Sequence, residues 1–141
     1  MSVNYARLCF QYSGAVALQT GQVGLADFLP ERLSDPETLA LGARIQVIDD
    51  GSTDPAAFTP QVATARPKDG REIEARIDTL YGSPADPMTA EAHLNKFRRC
   101  VAFGFGASRP ELENTLIDLT DNLEAVPDVS VLSRLAAGLE I

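Results

Sequence analysis

The side chains in this chain suited to proton transfer or nucleophilic attack are few: one histidine, His93, two cysteines, Cys9 and Cys100, and three tyrosines, of which Tyr12 stands between apolar flanks. Histidine is the commonest general acid or base. His93, however, sits one residue before Leu94 in a helical pattern opened by Thr89, among ordinary surface and core positions, and reads as structural. Cys9 and Cys100 have neither a CxxC partner nor metal-ligand spacing, so both are expected to be reduced and buried. Lys96, Arg98 and Arg99 form a basic cluster suited to a carboxylate or phosphate, but with Glu91 and other acids nearby the plainer reading is a solvated helix face. The glycines of Gly104–Ser108, GFGAS, follow a helical pattern where a dinucleotide-binding turn follows a strand, and are expected to form a linker. No Walker, nucleophile-elbow or paired-histidine zinc motif occurs. Tyr12 is the most informative position: a phenol in the first turn of a helix of small residues must hydrogen-bond if buried, to backbone or to a ligand carboxylate.

The elements that position these residues follow from local patterns. Gln11–Thr20 is rich in alanine and ends at Gly21, a natural helix terminator, so it is expected to be a helix, and Asn4–Phe10, whose pattern allows extended or helical backbone, is placed as a strand leading into it. Gly14, Ala15 and Ala17 let a neighbouring backbone approach closely, and the helix is expected to press against a sheet. Asp35 caps a short helix with Pro36 in its first position, running to about Ala43. Ile45 and Val47 alternate with Gln46 as in a strand that stops at Asp49-Asp50-Gly51-Ser52. Pro60–Arg66 and Arg71–Asp78 flank PKDG, and Ile73, Ala75 and Ile77 alternate with Glu72, Glu74 and Arg76, which predicts a hairpin with one wet face. Leu94, Phe97 and Val101 recur at helical spacing after Thr89. Ser108–Glu111, SRPE, has a capping-box pattern before Leu112, Leu116, Leu119 and Leu123, a stripe expected to stay partly uncovered, and a last helix is expected over about Val129–Leu139. Helices and a sheet thus precede helices without strands, with a change of composition near Asp86-Pro87. The fold class is α+β: a small two-layer helix/antiparallel-sheet domain over residues 1–87, then a helical segment over 88–141.

Composition narrows the function classes. With 141 residues, 45% hydrophobic, the chain is long enough for one ordinary core without disulfide staples. Its formal charge of -8, from 12 Lys+Arg against 20 Asp+Glu, argues against a nucleic-acid or anionic-membrane surface. The longest apolar run falls well short of the roughly 18–20 residues of a membrane span, and with no export signal the expected location is the cytoplasm.

Several stretches together carry a resemblance. ARLCFQYSGAVALQTG with VGLADF, then PETLALGARIQVIDD, the KDG hairpin and TLYGSPADPMTAEAHLNKF are similar, in order and spacing, to the C-terminal half of the MmgE/PrpD family. Members of that family dehydrate 2-methylcitrate, decarboxylate cis-aconitate or epimerise iminodisuccinate. The resemblance implies an α+β lid that closes on a large helical domain, with residues up to about Pro87 in the lid and the remainder returning to that domain. It also implies that the chain begins inside the lid, with the family's catalytic histidines and lysines upstream of it. Within the matching stretch it implicates Tyr12, which corresponds to a tyrosine lining the active site of the decarboxylase members. For His93, Cys9, Cys100 and the Arg98-Arg99 pair it implies no catalytic role.

The expected function is therefore the C-terminal part of an enzyme acting on a small di- or tricarboxylate by proton abstraction next to a carboxylate, as a lyase or epimerase and inactive as this chain alone. The alternative is a non-catalytic α+β binding or oligomerisation module, or an inactive fragment. No metal or organic cofactor is implied. The expected partners are the carboxylate substrate, the family's N-terminal helical domain and further copies of the chain.

Overall fold

A computed structural model describes residues 1–54 and 58–139. Among them are six α-helices and one two-stranded antiparallel sheet, an α+β architecture. Two compact units divide at Ala90/Glu91.

In the first unit, α1 (Val3–Arg7) is capped by Ser2, whose hydroxyl accepts the Tyr5 N–H at 3.3 Å. Of the expected strand over Asn4–Phe10, Asn4–Arg7 is helix, Leu8 and Cys9 form a break, and Phe10 opens the next helix. The apolar and polar residues of this stretch alternate too loosely to specify extended backbone, and the serine cap decides the matter locally. After Leu8 and Cys9 the chain re-enters helix at α2 (Phe10–Thr20), which ends on Gly21 at φ 79°, where the glycine N–H donates to the Ala17 carbonyl. Gly21 is the terminator its sequence position suggested, because only glycine takes this left-handed conformation without a steric penalty.

Helix α3 (Pro36–Gly42) has Asp35 as its cap and Pro36 in its first position. It packs on α2, and this corrects the expectation of a sheet there. Gly42 makes the close approach possible, since a Cβ on it would stand 3.2 Å from the Gln11 carbonyl oxygen. Ile45 does not begin a strand. Its N–H turns back to the Gly42 carbonyl, and its Cδ1 would lie 3.0 Å from a Cβ on Gly14, so the side chain is spent on α2 and Val47 and Ile48 are left without a ladder. The core of this unit is Ala6, Tyr12, Val16 and Leu33, with Val3, Cys9 and Phe28 packed against it.

The Asp35 cap also sets an acid sensitivity. Its Oδ2 accepts the Thr38 N–H at 3.0 Å and the Thr38 hydroxyl, which lies 2.8 Å from the Gln19 side-chain amide of α2. The bonds from Thr38, side chain first and backbone second, hold the Asp35 carboxyl below its usual range. A depressed carboxyl stabilises the fold above its unfolded pKa of about 3.9, and that stabilisation is lost as the pH falls through the lower folded value. Acid unfolding followed by circular dichroism is expected to be shallower below about pH 4 in Asp35→Asn, because asparagine caps as well as aspartate but does not titrate. An unchanged acid profile would remove Asp35 from the account.

Strands β1 (Gln61–Ala65) and β2 (Ile73–Ile77) pair with Ala63 opposite Ala75. The turn is built by Gly70, at φ 84° with its N–H on the Pro67 carbonyl, and by Asp69, which accepts the Arg71 N–H at 3.1 Å. The alternation is as the sequence suggested, but every strand position is exposed, so neither face is dry.

The second unit contains α4 (Ala90–Phe105), α5 (Pro110–Asp121) and α6 (Ser130–Ala136). Gly106, at φ 71°, follows α4 in the linker that GFGAS predicted. Leu116 is buried and Leu112 and Leu119 are half-buried, while Leu123 is 45% exposed, so the leucine stripe is mostly covered within the chain. The larger apolar exposure lies on α1, α2 and their junction, where Leu8 is 84% and Phe10 73% exposed.

Candidate functional site

Tyr12 occupies the first turn of α2, where the chain turns in from Cys9, and is 2% exposed. Its hydroxyl donates to the Asp27 backbone carbonyl at 2.5 Å, and its ring lies tilted against Phe28 with centroids 6.0 Å apart. The single turn of 3-10 helix over Leu25–Phe28 that presents this carbonyl is itself held by the Asp27 carboxylate, whose Oδ2 accepts the Gly24 N–H at 2.7 Å. Burial, and then the nearby Asp27 carboxylate, push the Tyr12 phenol above its ordinary pKa. At neutral pH it is a protonated donor, not a base. Of the two partners open to it from sequence, the backbone is the one it has here.

Of the other candidates, Cys9 packs against the cluster that holds Tyr12, and the rest belong to the second unit. His93 is exposed on α4. Lys96, Arg98 and Arg99 are exposed on the same helix, as expected of a solvated face, although the ion pair of Arg98 is with Glu113, at 3.8 Å, and not with Glu91. The expectation that both cysteines are buried is corrected. Both are free, Cys9 is half-buried with its thiol 3.4 Å from Gln11 Oε1, and Cys100 is exposed, being on the solvent side of α4 one position before buried Val101.

Glu113 is the residue that sequence reasoning passed over. It is only 4% exposed. Its Oε1 accepts the Arg109 N–H at 3.0 Å and the Ser108 hydroxyl at 3.3 Å, while Oε2 faces Arg98. The SRPE pattern pointed to Glu111, on the assumption that Ser108 caps. Pro110 instead takes the first helical position and makes Arg109 the cap residue, so the carboxylate within reach is two residues further on. The preference of proline for that first position was the available signal.

Among the described residues no three His, Cys, Asp or Glu side chains converge as metal ligands would. An open hollow of about 510 Å³ in the first unit is flanked by Asp49, Asp50 and Arg76, and the Arg76 guanidinium is already paired with Asp78 at 2.7 Å. Two carboxylates beside one engaged cation make this a poor seat for a di- or tricarboxylate.

The family model described as the MmgE/PrpD C-terminal domain matches residues 1–122. The chain belongs to the MmgE/PrpD family. Within it, the chain is similar to the cis-aconitate decarboxylase of Mus musculus, at 29% identity over 141 residues that take in 97% of this chain. It spans 28% of the length of that relative. The match to the MmgE/PrpD C-terminal domain contains Tyr12, the Asp27 turn, the hairpin, Arg98 and Glu113. None of the described helices is long and apolar enough to cross a membrane.

Proposed function

We propose that this chain is the C-terminal, lid-type portion of an MmgE/PrpD enzyme that acts on a small di- or tricarboxylate by removing a proton next to a carboxylate, with elimination, decarboxylation or epimerisation to follow. The match of the MmgE/PrpD C-terminal domain to residues 1–122 carries the reading. Such chemistry requires a base for the proton, a donor for the leaving group or enolate-like oxygen, and cations for the carboxylates. In this reading the base and the cations belong to the helical domain of the complete enzyme. Tyr12 contributes by holding the Asp27 turn in place, as a positioning residue behind the cleft.

The isolated chain is expected to turn over none of 2-methylcitrate, cis-aconitate and iminodisuccinate. A chimera in which residues 1–122 replace the corresponding domain of the mouse decarboxylase is expected to regain measurable decarboxylation of cis-aconitate. Turnover by the chain alone that disappears in His93→Ala would overturn the division of labour. A folded chimera inert toward all three acids would overturn the assignment to this chemistry. The engagement of the Tyr12 hydroxyl by the Asp27 backbone carbonyl favours a second reading, a non-catalytic binding or oligomerisation module, and an inert chimera would support it.

A further inference from the structure

Asp-Gly occurs twice in this chain, at Asp50-Gly51 and at Asp69-Gly70. An aspartate followed by glycine is prone to close a succinimide ring, in which the next backbone nitrogen attacks the side-chain carboxyl. Glycine favours the closure because it has no Cβ to hinder its nitrogen and leaves the backbone free to turn. The two pairs stand in different surroundings.

Asp69-Gly70 is held from both sides. The Gly70 N–H donates to the Pro67 carbonyl at 3.2 Å inside the turn that joins β1 to β2, and a carbonyl does not take its proton. Asp69 accepts the Arg71 N–H at 3.1 Å through Oδ1 and the Arg71 guanidinium at 2.7 Å through Oδ2, so both of its oxygens are engaged, one of them by a cation.

Around Asp50-Gly51 no helix or strand lies between Gly42 and Gln61 among the described residues, and residues 46–54 are all exposed. The Gly51 N–H donates to the Asp49 carboxylate at 2.9 Å, a group able to take the proton. Asp50 Oδ1 accepts the Ser52 N–H at 2.9 Å, which keeps the side chain folded back over the Gly51 peptide and polarises its carboxyl carbon. Asp69 makes the same bond to Arg71, so two features set the pairs apart. Asp50-Gly51 has a carboxylate on its attacking nitrogen, and among the described residues no arginine or lysine is paired with Asp50.

We propose that Asp50-Gly51 is a site of spontaneous isoaspartate formation, with the Asp49 carboxylate as its internal base, and that the fold protects Asp69-Gly70 from the same reaction. The proposal does not depend on the enzymatic reading above. The Gly51 nitrogen bonds to Cγ of Asp50 in its carboxylic acid form while its proton passes to Asp49. The Cγ–OH bond then breaks, and the hydroxyl takes that proton back from Asp49 and leaves as water. A second water opens the ring at either carbonyl. One opening restores aspartate; the other leaves the chain running through Cγ with the α-carboxylate as the side group. Nothing is oxidised or reduced, and the mass is unchanged. The product has the chemistry recognised by an S-adenosylmethionine-dependent carboxyl methyltransferase specific for isoaspartate, which esterifies that α-carboxylate.

Ageing of the intact chain near neutral pH at body temperature tests the proposal by two readouts. One is methyl transfer from labelled S-adenosylmethionine by an isoaspartyl methyltransferase. The other is peptide mapping with electron-transfer fragmentation, which tells isoaspartate from aspartate at each position. Isoaspartate at residue 50 is expected to accumulate several-fold faster than at residue 69, and the two rates to converge in denaturant, where the turn and the Arg71 clamp are gone. Asp50→Glu, whose ring would be six-membered, is expected to abolish most of the methyl acceptance. Asp49→Asn still accepts the Gly51 N–H but cannot take its proton, and is expected to slow the gain at residue 50 several-fold. No isoaspartate at residue 50, equal rates at the two pairs in the folded chain, a contrast undiminished in denaturant, or an Asp49→Asn chain that ages like wild type would each overturn the proposal.

Discussion

Tyr12→Ala is expected to unfold the first unit's helical core. Removal of a buried aromatic side chain costs about 3–5 kcal/mol, and this one fills the centre of a cluster whose other members are Ala6, Val16 and Leu33. Its loss also leaves the Asp27 carbonyl without the donor that holds the Leu25–Phe28 turn. Whole domains are stable by only about 5–15 kcal/mol, and a unit with so few buried side chains has little in reserve. Urea unfolding monitored by helical ellipticity should show the transition moved to very low denaturant. Tyr12→Phe keeps the ring against Phe28 and gives up one hydrogen bond, for a cost of about 1–1.5 kcal/mol. The phenylalanine variant also separates the two roles considered for this tyrosine. In an active MmgE/PrpD enzyme carrying this domain, a hydroxyl that donates to backbone predicts kcat close to wild type, whereas a proton-transfer group would cost on the order of 10²-fold or more. A loss of that size in a folded Tyr12→Phe enzyme would put the hydroxyl on the substrate.

Glu113→Ala is expected to destabilise the second unit by about 1.5–3 kcal/mol, the net worth of hydrogen bonds to a charged group. Three groups lose an acceptor or counter-charge at once: the Arg109 N–H, the Ser108 hydroxyl and the Arg98 guanidinium. The first is a donor at the start of α5, where no earlier turn of helix can satisfy it. Glu113→Gln keeps an acceptor oxygen for the Arg109 N–H and gives up the charge, so its loss should be clearly smaller. Denaturant midpoints for wild type and the two variants test the ordering. An alanine variant as stable as wild type would show that the buried carboxylate is dispensable, and a glutamine variant as weak as alanine would shift the weight to Arg98.

The parts of this protein legible in its sequence are those governed by groups within a few residues of one another. Gly21 ends α2, Asp35 and Pro36 start α3, and the PKDG turn with Ile73, Ala75 and Ile77 in alternation marks the hairpin. Each rests on backbone hydrogen bonds spanning two to four residues, and the side chains that complete them are adjacent in the chain. The ordered set of such stretches was also enough to place the chain in the MmgE/PrpD family.

The tertiary structure decided what depends on distant neighbours. Tyr12 had to find a hydrogen-bond partner, but that partner, the carbonyl of Asp27, lies 15 residues away and is selected by how the Leu25–Phe28 turn folds back. Ile45 had the residue type of a strand and became a packing residue, because Gly14 left space for it on α2. The leucines of α5 and the apolar residues of α1 and α2 look alike in a hydrophobic pattern, yet Leu116 is covered and Leu8 and Phe10 are not. Periodicity shows which residues share a face. Only the arrangement of elements decides which faces meet, because burial depends on the neighbour as much as on the residue.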